Sequence, residues 1–213
     1  MSRTTRWWWI RHAPVVGHGG RIYGQDDHDC DCSHRETFQN LARLLPDDAV
    51  WVTSHLRRTH LTADAILAHK PAGGARARIV DSDLAEQHFG AWQGLTNDQL
   101  NARRDGAWHR FWLAPAWESP PGGESFVDVI DRVAAAVARL SRAHAGGDIV
   151  AVAHGGTIRA ALALALALEP ERALAFAVDN CTLTCLDHIQ GAAGSHAPGT
   201  DGVWRVRTIN APA

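Results

Sequence analysis

Four short segments of this 213-residue chain carry side chains that can move protons or hold anions. The apolar run Trp7-Trp8-Trp9-Ile10 leads directly into Arg11-His12. A second run, Asp148 to Ala153, leads into His154-Gly155-Gly156-Thr157. A third is followed by Ser54-His55-Leu56-Arg57-Arg58-Thr59, and Glu86 sits in Leu84-Ala85-Glu86-Gln87-His88-Phe89-Gly90. Imidazole can act as nucleophile or proton carrier near neutral pH. Guanidinium offers a planar fork of donors to anions, and a carboxylate can serve as acid or base. Open α/β sheets bind ligands beyond the carboxyl ends of their strands. Two histidines emerging at two such ends are therefore expected to meet in one site.

The elements that would position them are legible. Short apolar runs alternate with helical patterns, as in an α/β domain built on a largely parallel sheet. Strands are expected at Trp7–Arg11, Ala49–Thr53, Arg78–Val80, Asp148–Ala153, Asn180–Asp187 and Val203–Ile209. The last two are read as a hairpin joined by the Gly/Ser/Pro-rich stretch from Gly191 to Gly202. Ser33 with Glu36 predicts a capping box ahead of Phe38, Leu41, Leu44 and Leu45. Thr96 precedes a short helix, Ser125 opens a longer one, and Pro170 fits a first turn. Ala160 to Leu168 alternates with period two, yet Ala and Leu favour helix, and helix is the reading adopted. The Trp- and Pro-rich segment from Ala107 to Glu124 reads as an insertion over one end of the sheet.

Composition narrows the function. Hydrophobic residues at 46% and charged residues at 21% describe an ordinary globule. A net charge of −2 argues against a nucleic-acid binder. No G-x-x-x-x-G-K-[ST], H-E-x-x-H or G-x-S-x-G occurs, and Ile22 stands where a dinucleotide fingerprint needs a glycine. His28, Cys30, Cys32 and His34 are metal-ligating types without a zinc-finger spacing. Cys30 and Cys32 are read as too close for a comfortable bridge, which favours reduced thiols and the cytoplasm. The apolar stretch at the N-terminus is too short for a signal-peptide core. The longest apolar run is about half a membrane span, so no membrane partner is expected. Trp7, Trp8, Trp9 and Trp51 are expected in the core, with Trp108, Trp112 and Trp117 as candidates to line a pocket.

In order along residues 7 to 160, these motifs resemble the histidine phosphatase superfamily, the phosphoglycerate mutase-like group. Arg11-His12 is similar to its R-H-G. Ser54-x-Leu56-x-Arg58-Thr59 with Thr62-Ala63 is similar to its S-x-L-x-R-[AT]-x-x-[ST]-A. Leu84-x-Glu86-x-x-Phe89-Gly90-x-Trp92-x-Gly94, then Gly122-Gly123-Glu124-Ser125 and His154-Gly155-Gly156, complete the set. The resemblance implies one domain over 1–213, a three-layer α/β/α fold with a mostly parallel mixed sheet, and a cap-like insertion at about 89–124.

By the same resemblance, His12 is the nucleophile that forms a phosphohistidine, Arg11 and Arg58 bind phosphate, and His154 donates to phosphoryl oxygens. Glu86 is the leaving-group acid and then the base for water. Splitting a difficult displacement in two and stabilising its charge with guanidinium groups suits a phosphomonoester. No metal and no cofactor is implied. His18, Tyr23, Gly24 and Gly155 are further substrate-binding candidates.

Ala13-Pro14 departs from the usual G-E, and Gln87 stands where the mutase version has a substrate-binding arginine. Pro120 to Ser125 resembles the α-ribazole phosphatase and broad-phosphatase branch. The expectation is a phosphomonoester hydrolase for a small phosphorylated metabolite, with α-ribazole phosphate a candidate. A cofactor-dependent phosphoglycerate mutase and a non-catalytic phospho-ligand module are the alternatives.

Overall fold

A computed structural model of the chain describes residues 2–71, 77–103, 109–191 and 202–213. Among the described residues, six strands form one sheet: β1 (Arg3–Arg11), β2 (Val50–Thr53), β3 (Arg78–Val80), β4 (Asp148–Ala153), β5 (Leu183–Gln190) and β6 (Val203–Ala211). Their order is β3-β2-β4-β1-β5-β6. The β3/β2, β2/β4 and β4/β1 pairs are parallel, whereas β1/β5 and β5/β6 are antiparallel. The helices are α1 (Arg35–Leu44), α2 (Arg57–Leu67), α3 (Asn97–Arg103), α4 (Phe126–Ala143), α5 (Gly155–Leu166) and α6 (Pro170–Ala173).

Strand alternation sorts the core into two layers. Trp7 and Trp9 of β1, with Ile149, Ala151 and Ala153 of β4, face α4, α5 and α6. Ile10, Val150 and Val152 face the other way, onto Phe38 and Leu41 of α1 and Ile66 and Leu67 of α2. The expected three-layer α/β/α architecture is therefore present. Trp7 and Trp9 stack at 4.8 Å, and the Trp7 indole N–H donates to Ser141 of α4 at 3.0 Å.

Several boundaries differ from the sequence reading. β1 begins at Arg3 because its polar start is paired: Arg6 bonds Asp187 at 2.6 Å and Thr5 is fully buried. β5 begins three residues later than expected, at Leu183. Cys181 is left-handed, with φ 58°, and Thr182 Oγ1 donates to the Asp179 carbonyl, so residues 179–182 form a turn. The Ser33–Glu36 capping box is not formed. The Asp31 carboxylate accepts the Ser33 N–H, and the helix starts behind His34, whose ring bonds Thr37 at 2.8 Å. Ser125 does cap α4, in a reciprocal box with Asp128. Thr96 and Gln99 exchange backbone N–H bonds at the start of α3. α6 starts on Pro170, and the Ala/Leu run is helical in α5. Of the stretch from Gly191 to Gly202, only its two ends lie among the described residues. No helix among the described residues is long and apolar enough to cross a membrane.

Candidate active site

β1 delivers His12. The His12 backbone N–H donates to the Ala153 carbonyl at 3.0 Å, continuing the β1/β4 ladder past the strand end. Asn180 donates to the His12 carbonyl at 2.7 Å, and Thr62 accepts the Ala13 N–H at 2.8 Å. The His12 ring is fully buried, and its Nδ1 lies 2.7 Å from the Ala13 carbonyl oxygen. A carbonyl only accepts, so Nδ1 carries the proton and Nε2 keeps its lone pair. Nε2 is buried with no hydrogen-bond partner among the described residues. Burial, and after it the nearby Arg58 cation, hold the His12 pKa well below the usual imidazole value of 6.5. The ring is therefore neutral at pH 7.

α2 delivers Arg58 from its first turn, fully buried. Its guanidinium donates to the Gly24 carbonyl at 2.6 Å, the Asp26 carbonyl at 2.9 Å and His154 Nδ1 at 3.2 Å. Three of the five N–H groups of an arginine are thus engaged, which leaves about two for a ligand. The Tyr23 ring lies 5.2 Å from the Arg58 guanidinium carbon. Arg11 donates to the Val178 carbonyl at 2.6 Å, while its buried Nε has no partner among the described residues. Buried polar atoms of this kind are ordinarily satisfied. An unpartnered Arg11 donor together with the lone pair on His12 fits an oxyanion built around an electrophilic centre.

β4 delivers His154, whose ring centroid is 5.1 Å from that of His12. The two histidines therefore do meet. Because Nδ1 accepts from Arg58, the proton sits on Nε2 and points to Ser54 Oγ at 2.8 Å. Both ring nitrogens are thus committed within the protein. The expected donor role toward phosphoryl oxygens requires one of these bonds to be exchanged; as the chain stands, His154 orients Arg58. Its pKa is also held well below the ordinary value, by burial first and then by Arg58.

Glu86 comes from the loop after a 3-10 turn at Ser82–Leu84. Its Oε1 accepts the Gln87 N–H at 2.9 Å and the Gly156 N–H at 3.0 Å; Oε2 receives only a longer 3.3 Å contact from Gly156. The N-terminus of α5 thus holds the carboxylate, as helix dipoles favour. A Cβ at Gly156 would fall on Glu86 Oε1, so any side chain there would push the carboxylate from this position. Arg132 of α4 clamps the loop from behind, through the Asp83, Ala85 and Glu86 carbonyls and both oxygens of Glu124.

Arg11 and Glu86 border an open cavity of about 570 Å³, whose lining does not include the fully buried His12, Arg58 and His154. Arg11, Tyr23, Gly24 and Glu86 line it, as do Asn97, Asn101, Arg110 and Trp112. Of the further candidates, Tyr23 and Gly24 are among the residues that line it. Gly155 packs against Arg11 and Arg159 at the start of α5. His18 is not among the lining residues; its ring meets Tyr23 edge to face at 5.3 Å. Trp112 lines the cavity, Trp117 is 69% exposed away from it, and Trp108 lies outside the described residues. Asn97, Asn101, Arg110, Arg132 and Arg159 were not singled out from sequence, and Gly156 was named only as part of the His154-Gly155-Gly156 motif. Asn97 and Asn101 are four apart on α3 and so share a face, a spacing that could have flagged them. Among the described residues, no group of three or more His, Cys, Asp or Glu is gathered as a metal site requires, the 28–34 segment included.

A family model for the histidine phosphatase superfamily (branch 1) matches residues 7–197. The chain is 35% identical over 212 residues to a glucosyl-3-phosphoglycerate phosphatase of Mycobacterium tuberculosis, covering 92% of this chain and 89% of that one. It is 35% identical over 153 residues to a metal-independent phosphoserine phosphatase of Arabidopsis thaliana, covering 71% and 64%. A bifunctional protein of M. tuberculosis is 44% identical over 88 residues, but the chain spans about a quarter (24%) of its length. The solved structure of a mycobacterial glucosyl-3-phosphoglycerate phosphatase superposes with a TM-score of 0.78 at 31% identity, covering 99% of this chain and 100% of that one. Motif order, the meeting of His12 with His154 and a match over most of the chain agree: the protein belongs to the histidine phosphatase superfamily.

Proposed function

We propose that the chain is a metal-independent phosphomonoester hydrolase that acts through a phosphohistidine at His12. The observation that carries this reading is the neutral, buried His12 ring with its Nδ1–H tied to Ala13 and its Nε2 lone pair unengaged. In the first step Nε2 attacks phosphorus, and Arg11 and Arg58 take up the charge on the phosphoryl oxygens. Glu86 protonates the departing ester oxygen, with Oε2, its less engaged oxygen, as the carrier. In the second step the same carboxylate takes a proton from water as water attacks the phosphohistidine. Every role is filled by a side chain of this protein.

The substrate proposed is a small phosphate ester that also bears hydroxyl and acidic groups. Asn97, Asn101 and Arg110 line the cavity and supply donors for such groups, and the described residues of the 89–124 segment that carry them are proposed as its cap. A glucosyl-3-phosphoglycerate-like ester fits that description, and α-ribazole phosphate is the second candidate. The mutase alternative gains nothing from Gln87, which is 2% exposed and spent on Trp112 and Glu124. The non-catalytic alternative has no counterpart among the named groups, all of which are intact.

The test is phosphate release from a panel of phosphomonoesters, including both candidates and phosphoserine, with a chelator present. Turnover that survives chelation and disappears in His12→Ala is the expected result. Activity lost on chelation and restored by a divalent metal would overturn the mechanism, and dependence on a bisphosphorylated primer would restore the mutase.

A further inference from the structure

On the outer side of the wall that holds Arg58, two half-buried thiols face each other. Cys30 and Cys32 are free, and their sulfurs are 3.7 Å apart. The sequence spacing had argued against a bridge, yet the bend of this segment places both sulfurs on one side. Cys30 is tied to the site by short routes. Its Sγ donates to the Arg58 carbonyl at 3.4 Å and touches Thr62 Oγ1, which in turn accepts the Ala13 N–H. The backbone on either side of Cys30 is pinned to the segment after His12, by Val16 N–H to Asp29 O and Asp31 N–H to Pro14 O. The same loop supplies the Gly24 and Asp26 carbonyls that hold the Arg58 guanidinium.

We propose that Cys30 and Cys32 form a hydroperoxide-reactive dithiol that closes to a disulfide and loosens the wall holding Arg58. The Cys30 thiolate attacks one oxygen of the hydroperoxide; an S–O bond forms, the O–O bond breaks, and the leaving oxygen takes a proton and departs as water or an alcohol. Cys32 then gives up its proton and attacks the Cys30 sulfur. An S–S bond forms, the S–O bond breaks, and a second water leaves. Two electrons pass from the dithiol to the hydroperoxide. The division of labour follows from the contact. The hydrogen bond from Cys32 brings the Cys30 thiol down to about 7, whereas Cys32 is pushed up by that pairing and by burial. Cys30 is thus the attacking thiolate and Cys32 the resolving thiol. Cys181 and Cys185 are buried, and their thiols are pushed up to about 11, mainly by burial.

The experiment treats the full chain with hydrogen peroxide and maps its tryptic peptides. Cys30 and Cys32 fall in one peptide, Ile22–Arg35, and Cys181 and Cys185 in another. The expected result is a loss of about 2 Da confined to the first peptide and reversed by dithiothreitol. In Cys32→Ser a sulfenic acid should persist at Cys30 and be tagged by dimedone. Peroxide should lower kcat/KM for p-nitrophenyl phosphate about tenfold in the wild type, the weight of one displaced hydrogen bond to a charged group. Cys30→Ser should be insensitive. No mass loss, a dimedone tag elsewhere, or a bridge from Cys30 to Cys181 would overturn the proposal. The activity arm rests on the phosphatase reading and the mass arm does not. A chain that hydrolyses no phosphomonoester but still closes the bridge would sink only the former.

Discussion

At the scale of single residues, the proposed chemistry assigns different work to His12 and Glu86, and one substitution separates them. Glu86→Gln keeps the side-chain shape and its bonds from Gln87 and Gly156, but it has no proton to give to the leaving oxygen. An aryl phosphate needs little such help because phenolate leaves readily, whereas an alkyl phosphate needs it fully. Phosphorylation of the enzyme should therefore slow about 10²–10⁴-fold with the alkyl ester and far less with the aryl ester. With the aryl ester, phosphohistidine should accumulate, since water attack has also lost its base. Pre-steady-state measurements on both esters decide the point, and equal losses would remove Glu86 from the leaving-group role. Both residues were legible in sequence because a strand end or a short loop motif announces them. Arg132 was not, because nothing in its own helix marks it. It matters only because α4 crosses behind the Glu86 loop, a contact about 46 residues away in sequence that local pattern cannot encode. Arg110 is hidden for the same reason.

At the scale of elements, the active site depends on how closely the first turn of α5 approaches the Glu86 loop. The motif His154-Gly155-Gly156 reads as a strand-to-helix turn in sequence, and the structure shows why its last glycine is needed. Gly156 gives its N–H to the carboxylate at 3.0 Å, where a Cβ would collide with Oε1. Gly156→Ala should displace Glu86 while leaving the α5 helix slightly favoured by propensity. We expect kcat to fall by an order of magnitude or more with a melting temperature close to wild type. Normal kcat in Gly156→Ala would show that the carboxylate's position is not critical. Boundaries set by chemistry at one residue, such as Ser125 before α4 or Pro170 in α6, were legible. Those set by competition were missed. Asp31 takes the Ser33 N–H and cancels the expected cap, and the left-handed Cys181 delays β5. The parallel core was visible as apolar runs, whereas the polar start of β1 is a strand only because β5 pairs along its whole length.

At the scale of the whole molecule, burying two neutral imidazoles next to a cation ties the stability of the fold to pH. His12 and His154 are fully buried, and both titrate well below 6.5, first because burial penalises the charged ring and next because of Arg58. In the unfolded chain the same rings take up protons as pH falls through about 6.5, the ordinary value. Between that pH and their depressed native values, the unfolded state therefore binds more protons than the native state. Stability rises with pH across this window and is lost as pH falls. Each ring contributes a slope of about 1.4 kcal/mol per pH unit, so the two together give up to about 2.7. For a domain of this size that corresponds to a melting temperature falling by about 5–10 °C per pH unit below 6.5. Replacing His12 by Gln removes one of these groups while keeping a polar side chain of similar reach; His60, also held below 6.5 by burial, still contributes, so the slope should become shallower by up to about 1.4 kcal/mol per pH unit. Melting curves of both proteins from pH 7.5 to pH 5 measure this directly. A wild-type melting temperature that stays flat over that range, or equal slopes in the two proteins, would show that the histidines are charged in the native state. His12 could not then be the neutral nucleophile, because the lone pair that makes it one would already hold a proton.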